Sequence, residues 1–391
     1  MNARVELDGI ARAKQVAPIV AAAAERIEAA RELPPEVLDA LHDARLFRLL
    51  LPRSVGGEEI DPVELAQVTE VIAAADASTA WCLGQGAVSA MASAFLDPII
   101  AREVFGPREA VLAWGAGTAG KAVAVPGGYR VTGSWAFASG SRHATWIGGH
   151  CLVFEADGTP RRRPDGRQAD RTALFRRSDV DIRDTWQVMG LRGTGSDSYS
   201  VTDAFVPDAY TLDREDPAER RENGTVYKFQ TTQCYAAGFS GVALGIARGA
   251  LDALKALAME KTPRGATSSL RENPVFQTQL AELEGQWRAA RSYVLQSYGE
   301  VWPAVGQSGA LTLDQRVNLR LATTWSINQA TEITTRVYRM AGATAIFETQ
   351  PFERRLRDAL AVSQQAQARP THFTTVGRHL LGLAPDTMMF M

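Results

Sequence analysis

Two changes of hydrophobic period constrain what this chain can fold into. Up to about residue 110, apolar side chains recur at three-and-four spacing, as in VAPIVAAAAERIEAARE and LPPEVLDALHDARLFRLLLP. That spacing draws one apolar stripe along a helix. From Val111 to about Leu212 the chain is rich in Gly, Val, Thr and aromatics, in short runs broken by Pro126-Gly127-Gly128, Asp157-Gly158 and Gly193-Thr194-Gly195. Short runs between turn residues are the pattern of strands. From about residue 227 the helical period returns. The chain reads as α+β: helical segments over 1–110 and 215–391 enclose an all-β unit over 111–214.

Local signals sharpen this layout. Asp61-Pro62 is an N-cap followed by proline at the first helical position, opening DPVELAQVTEVIAAA, and Asp76 opens a second helix with Ser78 and Thr79. In GFSGVALGIARGALDALKALAMEK, small residues at 238, 241, 245 and 249 suit close contact with another helix. Amphipathic stretches follow at about 275–303, 314–341 and 352–382, the last interrupted at Pro370. The polar run DREDPAERRENG from Asp213 reads as a linker, and Gly193 and Gly195 as the positive-φ residues of a tight hairpin.

Charge and cysteine content exclude several roles. A net charge of −2 over 391 residues gives no general attraction for nucleic acid or anionic lipid. The cluster Arg161, Arg162 and Arg163, with Arg167 and Arg171, reads as a solvated loop. Cys82, Cys151 and Cys234 lack metal-ligand spacing, and an odd, scattered set fits a reducing compartment; no metal is expected. The charged opening MNARVELDGIARAKQ has no signal-peptide core, and no apolar stretch has bilayer-spanning length, so a cytoplasmic protein without a membrane partner is expected. No GxGxxG follows a strand with an acidic partner beyond it, so this chain is expected to carry no NAD(P)H site.

Within the β unit, GYRVTGSWAFASGSRHATW (128–146) concentrates the chemistry. Trp135 and Phe137 offer an aromatic wall, Ser139 a hydroxyl, and Gly140 a close backbone approach, which together suit a flat cofactor. A hairpin burying both aromatics in a core is the alternative. His143 reads as a structural hydrogen-bonder.

The order of segments and several strings resemble the acyl-CoA dehydrogenase superfamily, and more closely its two-component (group D) flavin-dependent monooxygenases. The strings are LFRLLLPRSVGGEEIDPVEL, ADASTAWC, Trp114-Gly115, GSWAFASG (133–140), MGLRGTGSDSYSVTDAFVP (189–207) and PFERRLRDA (351–359). The resemblance implies an N-terminal helical domain, a central β-domain, a C-terminal four-helix bundle and a homotetramer. It places Ser139 beside flavin N5, where the oxygenases hold a C4a-hydroperoxide, and packs Trp135 and Phe137 on the isoalloxazine with Trp114 at its other edge. Thr194 and Ser196 would stand near the flavin or its phosphates, and Arg271 and Phe276 would reach those phosphates across a subunit interface. Arg271 reads equally as a salt-bridged helix-start arginine.

The chain departs from both branches at the base. The dehydrogenases commonly carry a glutamate after the RDA string; here RDALAVSQQAQARPTHF has no Asp or Glu after Asp358. Glu260 and Glu282 are weak substitutes. The oxygenases place a histidine where this chain has Gln365, which cannot act as a base near neutral pH. On a continuous helix His372 would follow Gln365 on one face, roughly 10 Å along. Three functions stay open on these residues. The first is a monooxygenase fed reduced FAD or FMN by a separate reductase, acting on a small molecule whose sulfur, nitrogen or electron-rich ring needs little base help. The second is an FAD enzyme desaturating acyl thioesters. The third is a catalytically silent assembly subunit.

Overall fold

The computed structural model describes residues 8–214 and 216–388. The first seven residues of the charged opening and Glu215 of the polar run lie outside them. Five helices come first: α1 (Gly9–Ala30), α2 (Pro35–Asp43), α3 (Pro62–Ala75), α4 (Ala77–Ser89) and α5 (Pro98–Phe105). The two caps read from sequence are formed. Asp61 accepts from Glu64 N, and Asp76 accepts from Thr79 N. Each such cap satisfies an orphan amide and is worth about 1 kcal/mol.

Eight strands follow: β1 (Leu112–Trp114), β2 (Gly120–Val125), β3 (Gly128–Ala138), β4 (Trp146–Phe154), β5 (Asp170–Arg176), β6 (Asp181–Arg183), β7 (Asp197–Pro207) and β8 (Thr211–Leu212). They form one sheet in the order β6-β7-β3-β2-β4-β5-β8, with β1 paired parallel to β4. The polar run after Asp213 is tied down rather than a free linker. Arg171 pairs with Glu219 at 2.7 Å, Arg163 with Asp213 at 2.7 Å, and Arg221 N bonds Ala94 O at 2.8 Å. The arginine loop is therefore ion-paired, Arg161 with Glu155 included, and not simply solvated.

The C-terminal segment forms α6 (Thr231–Glu260), α7 (Pro274–Ser308), α8 (Leu313–Ala341), α9 (Pro351–Ser363) and α10 (Thr371–Leu380). Both helical ends of the chain share one core, in which Ile27, Leu65, Phe239, Leu251, Val301 and Ile333 are buried together. Each such side chain contributes roughly 1.5–3 kcal/mol of burial. The small-residue stripe explains how α3 meets α6. A Cβ on Gly241 would lie 2.2 Å from Ala66 O, and one on Gly245 2.3 Å from Glu70 O. No described helix is long and apolar enough to cross a membrane.

Candidate functional site

The two aromatics of GSWAFASG lie on opposite faces of the sheet. Strict alternation would put Trp135 and Phe137 on one face. Between the pairs Trp135–Tyr199 and Ala138–Asp197, however, β3 carries one residue more than β7. This bulge, with Phe137 at φ 63°, turns the Phe137 ring outward. Phe137 is 62% exposed and meets Trp186 edge-on at 6.0 Å. Trp135 is 1% exposed, stacks on Tyr199 at 5.1 Å and donates from Nε1 to His150 O at 3.0 Å. Its ring fills the β core where Gly120 and Gly149 leave room; a Cβ at either would lie within 2.7 Å of it. Trp135 therefore has no free face for a cofactor, contrary to the expectation, whereas the Phe137 ring is exposed.

Ser139 sits where β3 ends, with its amide bonded to Phe137 O at 2.9 Å. Trp81 Nε1 on α4 donates to Ser139 Oγ at 3.0 Å. Ser139 Oγ contacts Ser196 Oγ at 2.7 Å, Ser196 Oγ contacts Thr194 Oγ1 at 2.7 Å, and Thr194 Oγ1 donates to Leu191 O at 2.8 Å. All three hydroxyl residues are buried, Thr194 and Ser196 more deeply than Ser139. Gly140, at φ 82°, bonds Thr194 O through its amide at 2.9 Å and joins the two loops.

The Thr194 loop is held from both helical segments. Ser78 Oγ accepts from Gly193 N at 3.1 Å. From α9, Asp358 accepts from Leu191 N at 2.7 Å, and Arg357 Nη1 donates to Met189 O at 2.6 Å. Burial pushes the Asp358 carboxyl up to about 7, against the lowering effect of the Leu191 bond. The loop is a single 3-10 turn (Arg192–Thr194), not a hairpin. Its positive-φ residues are Leu191 and Gly195, whereas Gly193 is required by contact: a Cβ there would lie 2.1 Å from Ile27. Trp81 also lies flat on Phe239 at 3.9 Å, and Phe239 stacks on Tyr235 at 5.4 Å. A column of parallel rings thus leads away from Ser139. No site role was expected of Trp81 or Asp358, and only a helix-opening one of Ser78, although the strings STAWC and RRLRDA carry them.

The remaining candidates are placed elsewhere. Trp114 is buried between the His150 ring at 5.1 Å and the Arg214 guanidinium at 4.8 Å. Arg271 is exposed near the far end of α6, about 30 Å beyond Phe239 at the helical rise of ~1.5 Å per residue. Phe276 is buried in its own bundle. Neither reaches Ser139 of the same chain. Gln365 does not share a helix with His372: α9 ends at Ser363, and α10 begins at Thr371. Gln365 accepts from Gln367 N at 2.6 Å, within its own turn. His372 Nε2 lies 2.7 Å from Ala366 O, and burial lowers its pKa. A carbonyl only accepts, so Nε2 carries the proton and His372 braces that turn. Burial pushes His143 down to about 3, and its Nε2 has no hydrogen-bond partner, so it is not the hydrogen-bonder expected. Glu282 is paired with Arg336, and Glu260 is exposed. Among the described residues no cluster could hold a metal ion.

An exposed ring on a fixed strand end, a hydroxyl two residues on and a peptide edge beside them suit a flat heteroaromatic group carrying polar edge atoms. The exposed Phe137 ring and the Ser139 oxygen two residues on fit the face and the edge of a flavin ring.

Known proteins resemble this chain along most of its length. The family model "Acyl-CoA dehydrogenase, N-terminal domain" matches residues 12–97, and "Acyl-CoA dehydrogenase, C-terminal domain" matches residues 237–370. Indole-3-acetate monooxygenase of Pseudomonas putida is 29% identical over 91% of this chain and 89% of its own length. The oxygenase component of the FADH2-dependent resorcinol hydroxylase of a Rhizobium species is 27% identical over 96% of this chain and 94% of its own. A crystal structure of the HsaA monooxygenase from Mycobacterium tuberculosis superposes with a TM-score of 0.88 at 27% identity, covering 99% of this chain and 100% of that one.

Proposed function

The chain belongs to the acyl-CoA dehydrogenase superfamily, in the branch of flavin-dependent two-component monooxygenases, and from that premise we propose how its own residues serve the reaction. It is the oxygenase component: a separate reductase supplies reduced flavin, which activates dioxygen so that one oxygen atom passes to a small substrate. Phe137 would hold the isoalloxazine on its exposed ring, and Ser139 Oγ would meet its N5 edge. Ser196, Thr194 and Trp81 fix the Ser139 hydroxyl, and α4 and α9 hold the loop behind it.

The observation that carries the oxygenase chemistry over desaturation is the absence of a carboxylate after Asp358 in RDALAVSQQAQARPTHF, with Asp358 itself buried against Leu191 N. Without a base from Gln365 or His372, the substrate is one that needs no deprotonation to receive oxygen: an electron-rich ring, or a sulfur or nitrogen centre. The ring column Trp81–Phe239–Tyr235 favours a flat aromatic molecule. The indole-3-acetate named for one relative is of this kind.

Exposed Met259, Val275, Ile346 and Phe347 gather at the end of the bundle where Lys261 bonds Ala341 O and Thr344. With Arg271 at the same end, this surface supports assembly with further copies, as a homotetramer in which Arg271 reaches a neighbour's flavin. The three cysteines are unpaired and buried, which supports a cytoplasmic setting.

The test is oxygenation under 18O2 with NADH, a generic flavin reductase and a panel containing indole, indole-3-acetate and resorcinol. One labelled oxygen in a product, dependent on this protein, is expected. Anaerobic bleaching of bound FAD by an acyl-CoA, with no labelled product, would overturn the reading.

A further inference from the structure

The contacts around Ser139 fix where its proton points. Three hydroxyls make three oxygen–oxygen contacts in series: Ser139–Ser196 at 2.7 Å, Ser196–Thr194 at 2.7 Å and Thr194–Leu191 O at 2.8 Å. Each contact needs one proton, and each hydroxyl has one to give. The far end is a carbonyl, which only accepts, so Thr194 donates to Leu191 O. Ser196 must then donate to Thr194, and Ser139 to Ser196. The near end agrees, because Trp81 Nε1 is a donor only and gives its proton to Ser139 at 3.0 Å. The carbonyl end cannot reverse, so the whole chain has one polarity. Ser139 is left with one lone pair and no proton to offer a ligand.

Oxidised and reduced flavin differ at the atom that meets this lone pair. N5 of the oxidised ring is a bare acceptor, whereas N5 of the reduced ring carries a hydrogen. We propose that Ser196 and Thr194 are positioning residues that set redox-state selectivity, by holding Ser139 as an acceptor that pairs with reduced flavin and opposes the oxidised form. This rests on the reading that Ser139 faces N5. Oxidised flavin could be accepted only if Ser139 took its proton back from Ser196, which breaks a contact buried on both sides. The arrangement also favours release of the flavin once it is oxidised, as a component fed by a separate reductase requires.

Thr194→Val ends the chain early and frees Ser196 to donate to Ser139, whose own proton can then turn to N5. Ser196→Ala frees that proton directly. Dissociation constants are measured anaerobically for dithionite-reduced and oxidised FMN and FAD. Both variants are expected to lower the ratio Kd(oxidised)/Kd(reduced) by about five- to tenfold, mainly by tightening the oxidised form. Thr194→Ser restores the ratio. Trp81→Phe leaves Ser139 donating to Ser196 and does not lower it. The native protein offers a check free of folding effects: oxidised 5-deaza-FMN has C–H in place of the N5 lone pair and is expected to bind more tightly than oxidised FMN. An unchanged ratio in the two variants, or 5-deaza-FMN binding no better than FMN, overturns the polarity while leaving the flavin site standing. Failure of the native protein to bind flavin in either state overturns both.

Discussion

Asp358 on α9 accepts the backbone N–H of Leu191 at 2.7 Å, and with the Arg357–Met189 bond beside it the helical bundle grips the loop that supports Ser139. The neighbouring Gly190 lies so close to α9 that a Cβ on it would come within 2.2 Å of Arg357 O. The β-domain site is therefore set by helices from both ends of the chain: α4 through Trp81 and Ser78, and α9 through Asp358.

Burial raises the Asp358 carboxyl to about 7, above its value of ~3.9 in an unfolded chain. The folded state then binds the proton more tightly. Its stabilising contribution is full below about pH 4 and is lost as pH rises through about 7. Asp358→Asn keeps an acceptor for Leu191 N and removes the charge. We expect it to flatten the difference in unfolding free energy between pH 5 and pH 8 by about 1–3 kcal/mol in chemical denaturation. Asp358→Ala, which strands the buried N–H, is expected to cost about 1–3 kcal/mol at pH 5.

Trp135 and Phe137 separate stability from binding. Trp135→Ala is expected to cost about 3–5 kcal/mol, because it empties the centre of the β core. Phe137→Ala removes an exposed ring and is expected to change stability by less than about 0.5 kcal/mol, while weakening flavin binding about tenfold. Thermal melts and flavin titration of the two variants check both halves.

Gly241→Ala is expected to destabilise by about 1–3 kcal/mol or more, since the added methyl meets backbone atoms of α3 and neither helix can yield alone. A melt shows this. Gly377→Ala, where a Cβ meets nothing within 4 Å, serves as the control.

The broad architecture was legible because hydrophobic period and caps are local properties. Asp61 and Asp76 start their helices as read, and the glycines of α6 do face α3. What the sequence hid was non-local. Alternation assigns Trp135 and Phe137 to one face, and nothing in the string marks the residue inserted against β7 that separates them. Thr194 and Ser196 are motif residues, but whether they face a ligand or stand behind Ser139 depends on how the 3-10 turn folds back. Pro370 signals an interruption, yet α9 already ends at Ser363, which breaks the heptad relation between Gln365 and His372. Trp81 and Asp358 act through partners 58 and 167 residues away, beyond the reach of any window of sequence.

The most direct measurement is the oxygen reaction of anaerobically reduced flavin bound to this protein, followed by stopped-flow absorbance, with Ser139→Ala beside it. Oxidised flavin is expected to reappear more slowly than from free reduced flavin, and the substitution at Ser139 to remove most of that delay. Reoxidation by the native protein at the rate of free flavin would contradict this.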